Sequence, residues 1–181
     1  NVVRITEPAR CADVWAVRKA GLGLFGSVKG DAKPVAFVED TAVAPEQLPA
    51  FTAEFRELLE RHGVRAAFYG HASVGCLHIR PMLDLRTADG VTKYRAIAEE
   101  VTELALKYGG THSGEHGEGL ARSEFNPKVF GETLYAAFRE VKAAFDPDGR
   151  MNPGKKVDAP PMDENLRYGA DYTTAFPVPL L

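Results

Sequence analysis

The sequence predicts an α+β fold of the ferredoxin-like kind: an antiparallel sheet with helices packed on one face, then a C-terminal helix and an extended tail. Three observations carry that prediction. Strand-like and helix-like stretches follow one another as strand, helix, strand, strand, helix and short strand, which is the split βαβ order. The two middle strands flank a Val74-Gly75 step that suits a hairpin turn. The helical stretches repeat their apolar residues at helical spacing, as in Tyr94, Ile97, Val101, Leu104 and Tyr108.

The elements follow in order. A short helix fits Pro8 to Gly21, with Val14, Trp15 and Arg18 on neighbouring faces. "KPVAFVEDTAV", Lys33 to Val43, is rich in β-branched and apolar residues and reads as a strand. Leu48, Phe51, Phe55, Leu58 and Leu59 then recur at helical spacing, and Gly63 suits the helix end. Arg65 to Ala72 and Cys76 to Met82 are the hairpin strands. A two-residue Val74-Gly75 turn would pair Ser73 with Cys76, Ala72 with Leu77 and His71 with His78. A second helix runs from about Val91 to Lys107, stopped by Gly109 and Gly110, and a short strand fits Thr111 to Ser113. Asn126 and Pro127 make an N-cap and N1 pair for a third helix, with Phe130, Leu134, Phe138, Val141 and Phe145 in register. "FDPDGRMNPGKK" is a run of turns, and the tail from Ala159 is proline-rich. The chain therefore divides into a domain over residues 1–158 and an extended tail or linker over 159–181.

Composition bounds the function. The 181 residues are 45% hydrophobic and 26% charged, enough for one domain with a core of its own. A net charge of −3 and a pI near 6.0 give no general attraction to nucleic acid or to an anionic membrane. The apolar runs are too short for a transmembrane segment. Cys11 and Cys76 supply neither a disulfide framework, a CxxC pair nor an iron–sulfur ligand set, which favours a reducing compartment. Because the first residue is Asn1 and not Met, the chain is read as a piece of something longer.

Two segments carry the chemistry. In "YGHASVGCLHIRP", Tyr69 to Pro81, the hairpin brings two imidazoles to one face, where opposed Cβ atoms lie roughly 4.5–5.5 Å apart. In "GGTHSGEHGEGLARSEF", Gly109 to Phe125, five glycines surround His112, Glu115, His116 and Glu118. A carboxylate from this loop could complete a two-histidine, one-carboxylate metal set with an open position, and His116 beside it could move a proton. From spacing alone, a solvated sheet face fits the histidines as well, and Arg18 and Arg80 fit as surface arginines. "GEHGEG" follows a helix and departs from G-x-G-x-x-G, so it is no dinucleotide fingerprint.

Taken in order, "YGHASVGCLHIRP", "SGEHGEGLARSEF" and "FDPDGRMNPGK" resemble the C-terminal half of FAD-linked oxidases. That group contains D-lactate dehydrogenase, the glycolate oxidase FAD subunit and D-2-hydroxyglutarate dehydrogenase. The resemblance spans roughly Trp15 to Lys155. It implies the cap, or substrate, domain of an FAD-dependent D-2-hydroxy-acid dehydrogenase, inactive alone, with most of the FAD held by an N-terminal domain. "PMDENLRYG" is similar to long bacterial members in which an iron–sulfur domain follows. A cytoplasmic protein, able to sit at the periphery of the inner membrane, is the implied setting.

The resemblance also implies roles. His71, His78 and Glu115 would bind a divalent metal, zinc or manganese; His116 would contact substrate and take its hydroxyl proton; Arg18 would bind the carboxylate of a small 2-hydroxy acid. Asn152 and Lys155, in "NPGK", would lie near the flavin. Four positions depart from the family pattern. Cys76 and Arg80 replace asparagines, and a substrate-holding threonine and lysine align with Leu22 and Glu39. Period-two alternation keeps Arg80 on the face of His78, so a carboxylate contact remains sensible there. A glycolate or D-lactate oxidase, or a non-catalytic ferredoxin-like binding module, stand as the alternative readings.

Overall fold

The computed structural model of the protein describes residues 3–170 and 172–173. Its elements are α1 (Pro8–Gly26), β1 (Lys33–Pro34), β2 (Thr41–Ala42), α2 (Leu48–Arg61), β3 (Ala66–His71), β4 (Cys76–Leu83), α3 (Ala88–Lys107), α4 (Gly119–Arg122) and α5 (Asn126–Phe145). The longest strand, β4, lies at the centre of the sheet. β3 runs antiparallel along one edge, from Ala66 opposite Pro81 to His71 opposite Cys76. β2 takes the other edge at Leu77 and Cys76, and β1 pairs with β4 at Leu83 and Met82. Thr111 then bridges to Ala42 through two main-chain hydrogen bonds of 3.0 and 2.9 Å. Helix and antiparallel sheet combine as the α+β prediction requires.

The core explains why the sheet has a helical face and a chemical face. Alternation along β4 sends Leu77, Ile79 and Leu83 one way and Cys76, His78 and Arg80 the other. Phe51, Phe55, Leu58 and Leu59 of α2, and Tyr94, Ile97, Val101 and Leu104 of α3, join the first set and Phe37 in one buried cluster. Phe37 meets Tyr94 at 4.5 Å between ring centroids, and Phe51 meets Phe55 at 5.8 Å. Each such side chain contributes about 1.5–3 kcal/mol on burial. α3 starts at Ala88, ahead of the expected Val91, because the Thr87 hydroxyl caps it by accepting from the Gly90 N–H at 3.0 Å.

Three expectations are corrected. The strand over Lys33 to Val43 is split into β1 and β2, because main-chain acceptors between them serve other partners: the Glu39 carbonyl takes His78 Nδ1 and the Asp40 carbonyl takes the Gly114 N–H. The hairpin turn is not the two-residue Val74-Gly75 type. Ala72–Val74 form a 3-10 turn closed by Gly75, which alone takes a left-handed φ of 72°. A two-residue primed turn would need positive φ at Val74, which a β-branched residue resists. The register is therefore His71 opposite Cys76 and Tyr69 opposite His78. Finally, Asn126 is not a cap. It is buried inside the first turn of α5, where its side-chain amide donates to the Lys156 carbonyl at 2.9 Å. Gly131, at φ 76° and ψ 160°, breaks that helix, and Leu134, Val141 and Phe145 of the apolar stripe are exposed.

Beyond Ala159 the chain returns to α3. Met162 is buried, its N–H donates to Glu124 at 2.7 Å, and Arg95 pairs with Asp163 at 3.0 Å. Residue 171 and residues 174–181 of the expected tail lie outside the described residues. Among the described residues, no helix is long and apolar enough to cross a membrane.

Candidate active site and metal centre

The corrected register still brings the two hairpin histidines together. A shift of two residues preserves the face on which each side chain stands, whereas a shift of one would reverse it. His71 lies diagonally across from His78, with ring centroids 5.2 Å apart and planes at 89°. The glycine-rich loop crosses the same end of the sheet. A Cβ on Gly110 would lie 2.2 Å from the Ala42 carbonyl oxygen, and one on Gly75 only 1.8 Å from that of Val43. Those contacts demand glycine: Gly110 lets the loop lie against β2, and Gly75 lets the hairpin turn lie against Val43.

Glu115, carried by this loop, occupies the centre of the cluster. Its Oε1 is 2.9 Å from His78 Nε2, 3.4 Å from His71 Nε2 and 3.5 Å from His116 Nε2. The His116 ring stacks on that of His78 at 4.9 Å and 8°. Ligand-type atoms of Asp40, His78, Glu115 and His116 also lie within 4.8 Å of one another. His78 is buried, while the side chains of His71, Glu115 and His116 are 52%, 43% and 45% exposed, so the cluster opens on one side.

Two acidic neighbours, Glu39 and Asp40, hold this arrangement. Asp40 is fully buried. Its carboxylate accepts from the Ser113 hydroxyl at 2.7 Å, from the His116 N–H at 2.8 Å and from the Glu115 N–H at 3.1 Å. Burial works against its charge, but these hydrogen bonds and nearby Arg122 prevail and hold its pKa below the ordinary carboxylate value. Glu39, also buried, accepts from His116 Nδ1 at 2.9 Å. That hydrogen bond outweighs partial burial and, with the surrounding carboxylates, raises the His116 pKa. Arg122 lies beneath both acids, 3.9 Å from Glu39 and 3.8 Å from Asp40. Burial first, then Asp40, push the Cys76 thiol up to about 11, so it stays protonated and donates to Asp40.

The donor set fits a divalent cation. His78 Nδ1 carries the proton it gives to the Glu39 carbonyl at 2.8 Å, which leaves the Nε2 lone pair facing Glu115 Oε1. A lone pair held 2.9 Å from a carboxylate oxygen is stable when a cation or a further proton lies between them. Nitrogen and oxygen donors of this kind suit zinc or manganese. Asp40 is the poorer ligand, because its oxygens already serve the loop.

The arginines sit beside this cluster. Arg18 of α1 places its guanidinium 4.6 Å from the centre of the Tyr69 ring, and Arg80 Nε donates to the Tyr69 hydroxyl at 3.2 Å. Arg80 also approaches Glu39 at 3.3 Å. Asn152 is exposed at φ 49°, and Lys155 is half-buried. Among the described residues no hydrogen bond joins either to the histidines, whereas the adjacent Lys156 pairs with Glu118 at 2.7 Å. The Leu22 side chain is outside the described residues. His112 is buried apart from the cluster, lining a small cavity with Phe37, Thr41 and Arg122. Burial pushes its pKa down to about 4. Asp40 and Arg122 were not foreseen as site residues; the acidic pair inside the apolar run "AFVEDTAV" was the available signal.

Comparison with known proteins agrees with this architecture. The family model for FAD linked oxidases, C-terminal domain, matches residues 1–156. The chain is 47% identical over 161 residues to D-2-hydroxyglutarate dehydrogenase of Escherichia coli strain K12, covering 86% of this chain and 16% of the relative. It is 33% identical over 130 residues to D-lactate dehydrogenase of Archaeoglobus fulgidus, covering 71% of this chain and 28% of the relative. Against glycolate oxidase subunit GlcD of Escherichia coli strain K12 the identity is 29% over 156 residues, covering 86% and 30%. The chain thus spans about a sixth of the length of the D-2-hydroxyglutarate dehydrogenase it matches. It belongs to the family of FAD-linked oxidase C-terminal domains.

Proposed function

We propose that this chain is the substrate- and metal-binding domain of an FAD-dependent D-2-hydroxy-acid dehydrogenase of the D-2-hydroxyglutarate type. The observation that carries the reading is the convergence of three imidazole Nε2 atoms on Glu115 Oε1, with Arg18 and Arg80 beside them on Tyr69. His71, His78 and Glu115 would hold zinc or manganese. Bound there, the cation would supply Lewis acidity, and FAD would supply the hydride acceptor. Arg18 and Arg80 orient the acid through charge-assisted hydrogen bonds to carboxylate oxygens. His116 Nε2 takes the hydroxyl proton as the carbonyl of the 2-oxo acid forms. Asn152 and Lys155 are assigned to the side that meets the flavin. Residues 1–158 form the body of the domain, Met162 still packs into its core, and the rest of 159–181 would lead toward a further domain.

Charge favours a dicarboxylate over D-lactate or glycolate. Arg18, Arg80 and Arg122 offset Glu39, Asp40 and Glu115, so a divalent cation would leave a doubly positive site that a dianion matches. Identity is also higher to the D-2-hydroxyglutarate dehydrogenases than to the other two groups. A substrate panel on the full-length enzyme tests this. kcat/KM for D-2-hydroxyglutarate should exceed that for D-lactate and glycolate at least tenfold. A higher value for either monocarboxylate would overturn the assignment.

A further inference from the structure

We propose that Glu39 is the positioning residue of this site, its main chain fixing the His78 ring and its side chain fixing the His116 ring so that both present Nε2 to the substrate side. The inference rests on the proposed role of His116 and adds to it a residue at a position that aligns with a lysine of some family members. Glu39 is 6% exposed, so its carboxylate has little water to bind. Its carbonyl oxygen is 2.8 Å from His78 Nδ1, and its Oε1 is 2.9 Å from His116 Nδ1. Both acceptors are oxygens without a proton to give, so each nitrogen must be the donor. Each Nδ1 therefore carries hydrogen, so whenever either ring is neutral its lone pair lies on Nε2.

The stacking follows from this shared anchor. Two rings bound at Nδ1 by one residue lie parallel, 4.9 Å apart, and their Nε2 atoms both face Glu115 Oε1. The carboxylate is itself held. Oε2 is 3.3 Å from Arg80 and Oε1 is 3.9 Å from Arg122, which limits its freedom to turn away from His116. Glu39 thus plays toward His116 the part that a buried carboxylate plays toward the base in acid–base–nucleophile triads: it selects the tautomer and balances the ring once a proton has arrived. It touches no reacting atom.

The test uses the full-length enzyme and the isosteric variant Glu39→Gln. The amide retains volume and the main-chain bond to His78, but its NH2 can turn to Nδ1 of His116 and demand the other tautomer. Neutron diffraction of the wild type should show deuterium on Nδ1 of both rings; deuterium on Nε2 of His116, with Nδ1 bare, would overturn the proposal. In rapid mixing, Glu39→Gln should slow flavin reduction at least a hundredfold while substrate Kd and metal content stay within threefold. A merely structural residue would instead lower metal content or raise Kd. Because Glu39 acts through His116, the double variant Glu39→Gln/His116→Ala should be no more than twofold slower than His116→Ala alone, and multiplicative losses would overturn the idea. If His116→Ala by itself leaves flavin reduction unchanged, the assignment of the base fails, and the neutron result still decides the placement of Glu39.

Discussion

Replacing Asp40 by asparagine should loosen the loop that carries Glu115 and His116. The wild-type carboxylate accepts from the Ser113 hydroxyl and from the His116 and Glu115 N–H groups, and it lies 3.8 Å from Arg122. An amide can keep one oxygen for Ser113 and His116, but it turns an NH2 group toward the Glu115 N–H. A buried donor left facing a donor costs about 1–3 kcal/mol, and hydrogen bonds to a neutral acceptor are weaker by about 1 kcal/mol each. The sum is about 3–5 kcal/mol. For a chain of this size that corresponds to a fall in Tm of about 6–20 °C. Urea denaturation followed by far-ultraviolet circular dichroism gives the value directly. The pH dependence has a definite sign. Asp40 titrates below its unfolded value, so its stabilisation is complete above about pH 4 and is lost as pH falls through the lower folded value. Wild type and Asp40→Asn should therefore converge in strong acid and separate at neutral pH. A neutral-pH difference below about 0.5 kcal/mol would refute the view that this buried carboxylate organises the loop.

Other perturbations follow from the same geometry. Arg18→Ala should lower kcat/KM of the full-length enzyme at least tenfold, since a lost charge-assisted contact is worth about 1.5–3 kcal/mol; steady-state kinetics with values within twofold would remove Arg18 from the site. His116→Ala should slow flavin reduction by about 10²–10⁴-fold in single-turnover mixing, whereas His112→Ala should not change that rate, and the reverse order would mean that the proton belongs to His112. His112 supplies a separate pH test: its folded pKa of about 4 lies below the unfolded 6.5, so its neutral form is favoured in the fold, and stability should fall by up to about 3 kcal/mol as pH drops from 6.5 to 4. Urea titrations of wild type and His112→Gln with the same slope over that range would refute it.

Much of the fold is legible in the sequence because local signals and packing agree. The apolar spacing of Phe51, Phe55, Leu58 and Leu59 gives a helix, and the same residues form its buried face. The hairpin is legible, but its register is not, since the choice turns on whether Val74 can take positive φ. The histidine face survived that error because the shift was of two residues. Asn126 reads as a cap by residue type, yet its side chain is recruited by Lys156, thirty residues away, which no local pattern records. The stripe from Phe130 to Phe145 reads as a core stripe, and Gly131 breaks it. At the site, the conjunction of His71, His78 and Glu115 is foreseeable from two motifs. The supporting shell is not, because Glu39, Asp40 and Arg122 meet only after β2, β4 and the glycine-rich loop are assembled.

Metal analysis of the full-length enzyme, joined to anomalous scattering from its crystals, tests the central claim most directly. The expected result is one zinc or manganese per chain, with an anomalous peak bounded by His71 Nε2, His78 Nε2 and Glu115 Oε1, and loss of that metal in His78→Ala with FAD content unchanged. Saturation with both cations that leaves the peak absent, or places it away from these three side chains, would contradict the assignment.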